Sequence, residues 1–287
     1  MILFGLAGGL GNQLFALPTL KALSRLDTVD LFVDGDHDTA PLWSRCRYVR
    51  RVYGAGNRVP GTYWARFSGD FSPRENGPWK RCGWPRPAND RYPRPEWAQI
   101  KKECLGNEAE EDVSDWIDLP REKEIDFALI PGCKPGDEWS RKKWGGFREL
   151  ATALESRRFS VEAFGLRDEI GSAGLDPWWT GDRDLLSVAE RLSKVRVAST
   201  TDSGIGHLAS SLGVGCVFLF TATNPTKGRP LGPHKIIARG CERAPKGCQS
   251  TPLWKECTDH RCRAIPVEEV MNAAVSLLPT RIQGIAP

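Results

Sequence analysis

The sequence predicts an α/β protein built from two Rossmann-like halves, and three observations carry the prediction. Near the amino terminus the apolar run MILFGL passes through a glycine-rich turn, AGGLGNQ, into helix-spaced residues and then a second apolar run, VDLFVD. Strand, tight turn, helix and strand in that order open a Rossmann-like domain. Past the middle of the chain VRVAS, TDSG, IGHLASSLG and CVFLFT repeat that order,. Between the two, EAEEDVSDWIDLPREKE turns acidic and carries a proline. That places a boundary at about Leu119 to Lys123, with 1–120 and 121–287 as the two domains,.

In the first domain, MILFGL is a buried strand and the helix after the turn runs roughly from Asn12 to Leu26. Pro18 falls inside it, where one backbone hydrogen bond must be lost, so the helix kinks or restarts there,. VDLFVD is the second strand, and DGDHD follows at its carboxy-terminal edge, where α/β sheets place ligands,. Asp34, Asp36, His37 and Asp38 are therefore candidate bases, with Asp70 a further one; a solvated acidic turn is the plainer alternative,.

Residues 43–102 form a basic, aromatic-rich insertion, with fourteen Lys and Arg against four Asp and Glu. The segment also holds all four tyrosines and five of the eleven tryptophans. The net charge of +4 over 287 residues thus hides a local excess. One reading is a loop-rich insertion with solvated arginines and a small aromatic core. The other is a surface for a polyanion, with Arg47, Arg50, Arg51, Tyr63, Trp64, Arg66, Trp79, Lys80, Arg81 and Trp84 as its candidate contacts,.

The second domain opens with the strand IDFALIPGC. KPGDEWSRKKWGGFRELATAL follows, a basic turn leading into an amphipathic helix,. SVEAFGL is the next strand, with Asp168 and Glu169 just beyond it, and DLLSVAERLSKV is helical,. At the second strand–turn–helix, Ser203 is a good N-cap, and Gly204 and Gly206 leave the first turn bare,. The free amides there suit an anion such as a diphosphate, and Asp202 and His207 lie close enough to approach the same ligand. An ordinary cap with a satisfied histidine accounts for the stretch equally well.

Beyond it, NPTKGRPLGP is a loop preceded by Thr223, HKIIAR is a strand, and PVEEVMNAAVSLL is a helix with an apolar stripe,. Cys241, Cys248, Cys257 and Cys262 are spaced C-x6-C-x8-C-x4-C, unlike the tight pairs of a zinc ribbon,.

Composition bounds the class. The chain is 40% hydrophobic and 26% charged, ordinary for a globular protein,. The first apolar run has no basic residue ahead of it and is broken by glycines, so it reads as neither a signal peptide nor a membrane span,. With nine cysteines and no secretion signal, a cytoplasmic protein with mostly reduced thiols is expected,. No repeat or coiled coil is visible. The opening loop lacks the dinucleotide fingerprint, since Gly9 and Gly11 are followed by Leu14 where a third glycine belongs,. That weighs against an NAD-type oxidoreductase.

TDSGIGHLASSLG followed by LFTATNPTKGRPLGP resembles the D-S/T-G-x-x-H-L-A-A-x-L-G … LFG-x-T-x-P … GP signature of glycosyltransferase family nine. These are the heptosyltransferase-like enzymes that build lipopolysaccharide core. The resemblance implies the GT-B architecture, two facing Rossmann-like domains with a cleft between them. It also implies a nucleotide-diphospho-sugar donor held by the second domain, with no required cofactor. Lys142 and Trp144 fit the family's K-x-W donor-phosphate segment, and a lysine there would neutralise the leaving diphosphate without a metal,. Asp168 or Glu169 sits where the family places an acid on the nucleotide ribose. Asp202, Ser203, Gly204, His207 and Thr223 would complete the donor site, and the late cysteines resemble those of some relatives, a structural clip by disulfide in preference to zinc.

In the first domain Gly11, Asn12 and Pro18 fall on the G, D and P of the family's S-x-x-G-D-x-x-x-x-x-P segment. The family's aspartate there is the general base, and an amide cannot take that proton. Another acid must serve, with Asn12 positioning. GGLGNQLF also looks like the opening of bacterial α-1,2-fucosyltransferases, a likeness that stays local because their H-x-R-R-x-D motif is missing. The resemblance favours a phosphorylated lipopolysaccharide core as acceptor, met at the inner membrane face. The basic aromatic segment fits a hydroxymethylated base of phage DNA as well. A protein that binds sugar nucleotide or polyanion without turnover is the alternative outside enzymes.

Overall fold

The computed structural model describes residues 1–35, 38–60, 63, 65–68, 80–81, 112–134, 136–176, 184–249 and 251–279. Asp36, His37, Trp64, Asp70, Trp79 and Trp84 fall outside them. The chain divides into two units, Met1–Asp118 and Leu119–Pro287. Each is built on a parallel sheet.

In the first unit the strands are β1 (Ile2–Ala7), β2 (Val29–Asp34), β3 (Arg51–Gly54), β4 (Ala65–Ser68) and β5 (Lys80–Arg81), in the order β3-β2-β1-β4-β5. Ile2, Leu3, Phe4, Leu31 and Phe32 are fully buried, as near-continuous apolar runs in a parallel sheet require,. The helix expected from Asn12 to Leu26 is two: α1 (Leu10–Leu14) and α2 (Leu17–Leu26). Pro18 lies in the first turn of α2, where its missing N–H is no loss,. A short helix, α3 (Ala40–Trp43), follows β2.

In the second unit β6 (Ile125–Ile130), β7 (Val161–Ala163), β8 (Val195–Thr201), β9 (Gly215–Phe220) and β10 (His234–Ala238) run in the order β10-β9-β8-β6-β7. The helices are α4 (Phe147–Ser156), α5 (Arg167–Ser172), α6 (Leu185–Leu192), α7 (Gly204–Ser211), α8 (Leu253–Glu256) and α9 (Val267–Val275). Phe127, Leu129, Phe147, Leu150, Val197, Val217 and Val270 share one buried core between the sheet and helices α4 and α9.

Strand order reverses direction between β1 and β4 in the first sheet and between β6 and β8 in the second. At such points the connecting chains leave to opposite faces, and a crevice opens outside the carboxy-terminal strand ends. The loops after β1, β6 and β8 are thereby the predicted ligand loops of the two units.

The late cysteines depart from expectation. Cys241, Cys248, Cys257 and Cys262 are free thiols, as are Cys46, Cys133 and Cys216. Among the described residues no group of three or more His, Cys, Asp or Glu could hold a metal ion, so a structural zinc does not fit either. Packing replaces the clip: Cys248 is buried with Trp254, Ala222 and Ala244, and Cys241 and Cys262 pack against that cluster. No described helix is long and apolar enough to cross a membrane.

Candidate active site

The loops after β6 and β8 converge. Trp139–Lys142 forms one turn of 3-10 helix after β6, and its geometry aims Lys142 at the end of β8. Lys142 Nζ donates to Asp202 Oδ2 at 2.9 Å and to the Asp202 carbonyl at 3.1 Å. It also stands 5.0 Å from the centroid of the Trp139 ring, a distance at which the aromatic face favours the cation. Asp202 Oδ1 pairs with His207 Nε2 at 3.2 Å. Lys142 and Asp202 are only 12% and 14% exposed. Burial works to raise the Asp202 carboxyl, but Lys142 and His207 outweigh it and hold it well below the ordinary carboxylate range,.

The strand ends are tied together. Thr201 Oγ1 donates to the Gly132 carbonyl at 2.6 Å, joining β8 to the loop after β6. Thr221 Oγ1 donates to the Arg141 carbonyl at 2.9 Å, and Arg141 Nη1 donates to the Cys257 carbonyl at 2.6 Å. The lysine turn is thus braced from β9 and from the cysteine segment.

Ser203 caps α7, its hydroxyl accepting from the Gly206 amide at 3.1 Å. The Gly204 and Ile205 amides have no acceptor among the described residues, and both residues are half-buried rather than covered. The anion-facing turn therefore exists, but Gly206 does not belong to it. A Cβ at Gly206 would lie 2.4 Å from Thr200 Oγ1. That glycine lets the helix close onto β8.

Glu169 and Asp168 separate. Glu169 turns inward: Oε2 accepts from the Leu166 amide at 3.1 Å and Oε1 from the Cys133 amide at 3.3 Å. It packs against Gly132, where a Cβ would lie 2.2 Å from its carboxylate. Asp168 is exposed. Trp144 is not at the site. Its ring is buried in the core on Phe147, and Nε1 donates to the Ile265 carbonyl at 2.9 Å. Thr223 is buried just past β9, and its hydroxyl has no partner among the described residues.

In the first unit, Gly8 and Gly9 follow β1, and Asn12 rises from the first turn of α1. Asp34 ends β2 level with Ala7. Gln13, which the sequence reading passed over, organises this edge. It is fully buried, donates Nε2 to the Gly8 carbonyl at 2.9 Å, and accepts at Oε1 from Thr39 (2.7 Å) and Trp43 Nε1 (2.8 Å). A polar side chain inside an apolar helical pattern was the available signal.

The basic residues are not gathered at that edge. Arg50 holds buried Asp30 through Nε and Nη2, Tyr63 donates to the same carboxylate, and Arg47 pairs with Asp118. Arg51 begins β3 opposite Asp30. Arg50, Arg51 and Tyr63 thereby stand at the amino-terminal end of the strands. Arg66 follows the first residue of β4, and Lys80 and Arg81 form β5.

A family model, glycosyltransferase family 9 (heptosyltransferase), matches residues 127–257, which span β6 through the lysine turn, α7 and the loop after β9. The second unit carries a glycosyltransferase family 9 domain. The chain is similar in fold to a family 9 glycosyl transferase from Veillonella parvula, at 13% identity and a TM-score of 0.63 over 96% of both chains. Heptosyltransferase WaaC of E. coli, solved with ADP, matches at 14% and 0.59 over 87% of this chain and 96% of its own. The ADP-heptose lipopolysaccharide heptosyltransferase II of E. coli matches at 16% and 0.59 over 95% and 98%. No curated protein matches the chain by sequence. With the family 9 domain and the GT-B fold, the protein is a glycosyltransferase.

Proposed function

We propose that the protein transfers a sugar, with inversion and without a metal, from a nucleotide-diphospho-sugar to a hydroxyl of a phosphate-bearing acceptor of the lipopolysaccharide-core type. One observation carries the reading: a lysine held by an ion pair beside free helix-start amides, at the switch point of a parallel sheet.

Lys142 spends two ammonium hydrogens on Asp202 and keeps a third for the diphosphate. The Gly204 and Ile205 amides face the same anion with the positive end of the α7 dipole behind them. Glu169 keeps lone pairs for a ribose diol, and Asp202 with His207 for sugar hydroxyls.

In the transfer, the bond from the sugar's anomeric carbon to the diphosphate oxygen breaks and its electron pair leaves with the diphosphate. The acceptor oxygen bonds to the opposite face of that carbon, and its proton passes to a base. Charge grows on the leaving group as the bond breaks, and a fixed ammonium with two fixed amides lowers that barrier. We assign the base to Asp34, with Asn12 positioning the hydroxyl, because Asp34 ends the strand beside the Gly8–Asn12 loop.

The test is release of nucleoside diphosphate from a panel of nucleotide sugars with lipopolysaccharide-core fragments as acceptors. ADP-heptose comes first because WaaC is solved with ADP and with ADP-2-deoxy-2-fluoro heptose. The reading expects acceptor-dependent release that Asp34→Asn reduces in kcat. Release from no donor would overturn it; glucosylation of hydroxymethylated DNA in place of core fragments would keep the donor half and replace the acceptor.

A further inference from the structure

Six residues line a cavity of about 250 Å³ on the first unit: Ser44, Val49, Arg50, Arg51, Val52 and Tyr53. Sheet polarity fixes where it opens. β3 is an edge strand parallel to β2, and its first residue, Arg51, stands level with Asp30 near the start of β2. Asn12 and Asp34 lie at the other end of the same strands. Asp30 and Asp34 are about 13 Å apart along β2, at ~3.3 Å per residue. The cavity is therefore separate from the edge that would receive an acceptor hydroxyl.

Its arginines differ in role. Asp30 is wholly buried and takes Arg50 in a bidentate grip, at 2.9 Å and 2.6 Å, while Tyr63 donates to it at 2.5 Å. Burial works against the charge on Asp30, but the bonds from Arg50 and Tyr63 outweigh it and keep its carboxyl below the ordinary range. Arg50 is thus fixed by its inner edge, and its Nη1 has no acceptor among the described residues. Arg51 is exposed and makes no hydrogen bond or ion pair among the described residues. One carboxylate faces two guanidinium groups, so one positive charge is left over. The Tyr53 hydroxyl lies 3.4 Å from that of Tyr63, whose single hydrogen goes to Asp30, and Val49 and Val52 supply apolar wall,.

We propose that this cavity binds the phosphate group of an anionic ligand, at a site distinct from the donor site. A carboxylate has two oxygens and one guanidinium fork satisfies it. The Arg51 fork and the Arg50 Nη1 hydrogens together offer more donors than that, and a tetrahedral phosphate has the oxygens to use them,. Pre-fixing of Arg50 by a buried partner means that only Arg51 loses freedom on binding. On the transferase reading, the site would hold a phosphate of the acceptor remote from the reacting hydroxyl. Phosphate binding itself does not depend on that reading.

Titration calorimetry of the full chain tests it, with inorganic phosphate and then pyrophosphate as probes. Wild type, Lys142→Ala, Arg51→Ala and the double variant are compared. The expected result is that Lys142→Ala keeps one phosphate site, that Arg51→Ala weakens this site roughly tenfold or more, and that the double variant shows the same weakening. Arg51→Lys, which keeps the charge but not the fork, should recover only part. The Arg51 side chain makes no hydrogen bond or ion pair among the described residues, so a melting temperature changed by no more than about one or two degrees would accompany the loss. Phosphate affinity unaltered by Arg51→Ala in the Lys142→Ala background would overturn the proposal, as would loss of all phosphate binding with Lys142→Ala alone. Pyrophosphate binding that ignores Lys142→Ala would instead count against the donor site and leave this one standing.

Discussion

Lys142 Nζ lies 2.9 Å from Asp202 Oδ2, although the two residues are carried by loops that follow different strands, β6 and β8. The pair is a charged latch at the one place in the second sheet where the connections part. Because Asp202 also engages His207, the cation and its counter-ion sit in a fixed geometry before any ligand arrives. Fixed charges need no reorganisation during reaction, which is where their catalytic value lies.

Breaking the latch from either side should therefore give different results. Lys142→Met leaves the buried Asp202 charge with His207 alone, and a loss of about 3 kcal/mol in unfolding free energy is expected. Diphosphate affinity should fall roughly a hundredfold with it, since a charge-assisted contact is lost at the same stroke. Asp202→Asn should reduce stability but leave diphosphate binding within about tenfold, because the ammonium remains. A double-mutant cycle read by denaturant unfolding and calorimetry checks both, and additivity in stability would deny the pair.

Acid should weaken the same latch. The folded carboxyl of Asp202 lies below its unfolded value, so the unfolded chain binds more protons as pH drops past about 4. The stability this group contributes is complete above that point and is lost as pH falls further. The unfolding free energies of wild type and Asp202→Asn should differ by a constant amount from pH 8 to about pH 5 and converge below about pH 4. A gap that stays constant into strong acid would contradict the network.

Glycines that look alike in the sequence should behave unlike each other. Gly206→Ala drives a Cβ to 2.4 Å from Thr200 Oγ1, so a loss of about 1–3 kcal/mol and several degrees in Tm is expected. Gly9→Ala meets nothing within 4 Å and at φ −69° needs no special backbone, so its Tm should stay within about one or two degrees. Thermal melts of the two variants side by side decide the matter.

Gln13 should matter to catalysis without touching substrate. Gln13→Leu strands the Gly8 carbonyl and the Thr39 and Trp43 donors, with a loss of about 2–4 kcal/mol. Any folded Gln13→Glu protein, which keeps an acceptor for Thr39 and Trp43 but cannot donate to Gly8, should lose kcat through the displaced glycine loop. Its donor KM should be unchanged. A raised donor KM with intact kcat would place the residue elsewhere in the mechanism.

The parts that were legible in the sequence were those set by chain order. Both βαβ units and the N-cap at Ser203 follow from strand, turn and helix signals that act over a few residues, whereas the grouping of Lys142 with Asp202 and His207 came only from the resemblance to glycosyltransferase family nine. Direction of side chains was not. Lys142 and Trp144 are two residues apart, yet the 3-10 turn ends between them and sends one to Asp202 and the other into the core. Gly204 and Gly206 look equally suited to bare an anion site, and only the approach of Thr200 shows that the second serves packing. The arginines of 43–58 were grouped by composition, but strand polarity puts Arg50 and Arg51 at the end of the sheet away from Asn12. The cysteines met in a small aromatic cluster, a contact between Trp139 and Trp254 that spacing could not foretell.

Calorimetric comparison of ADP with AMP on wild type and on Lys142→Ala bears most directly on the central claim, that the Gly204 and Ile205 amides and the Lys142 ammonium hold a diphosphate. ADP should bind the wild type at least about tenfold more tightly than AMP, and Lys142→Ala should erase that preference. Equal affinity for the two nucleotides, or a preference for ADP that survives Lys142→Ala, would contradict it.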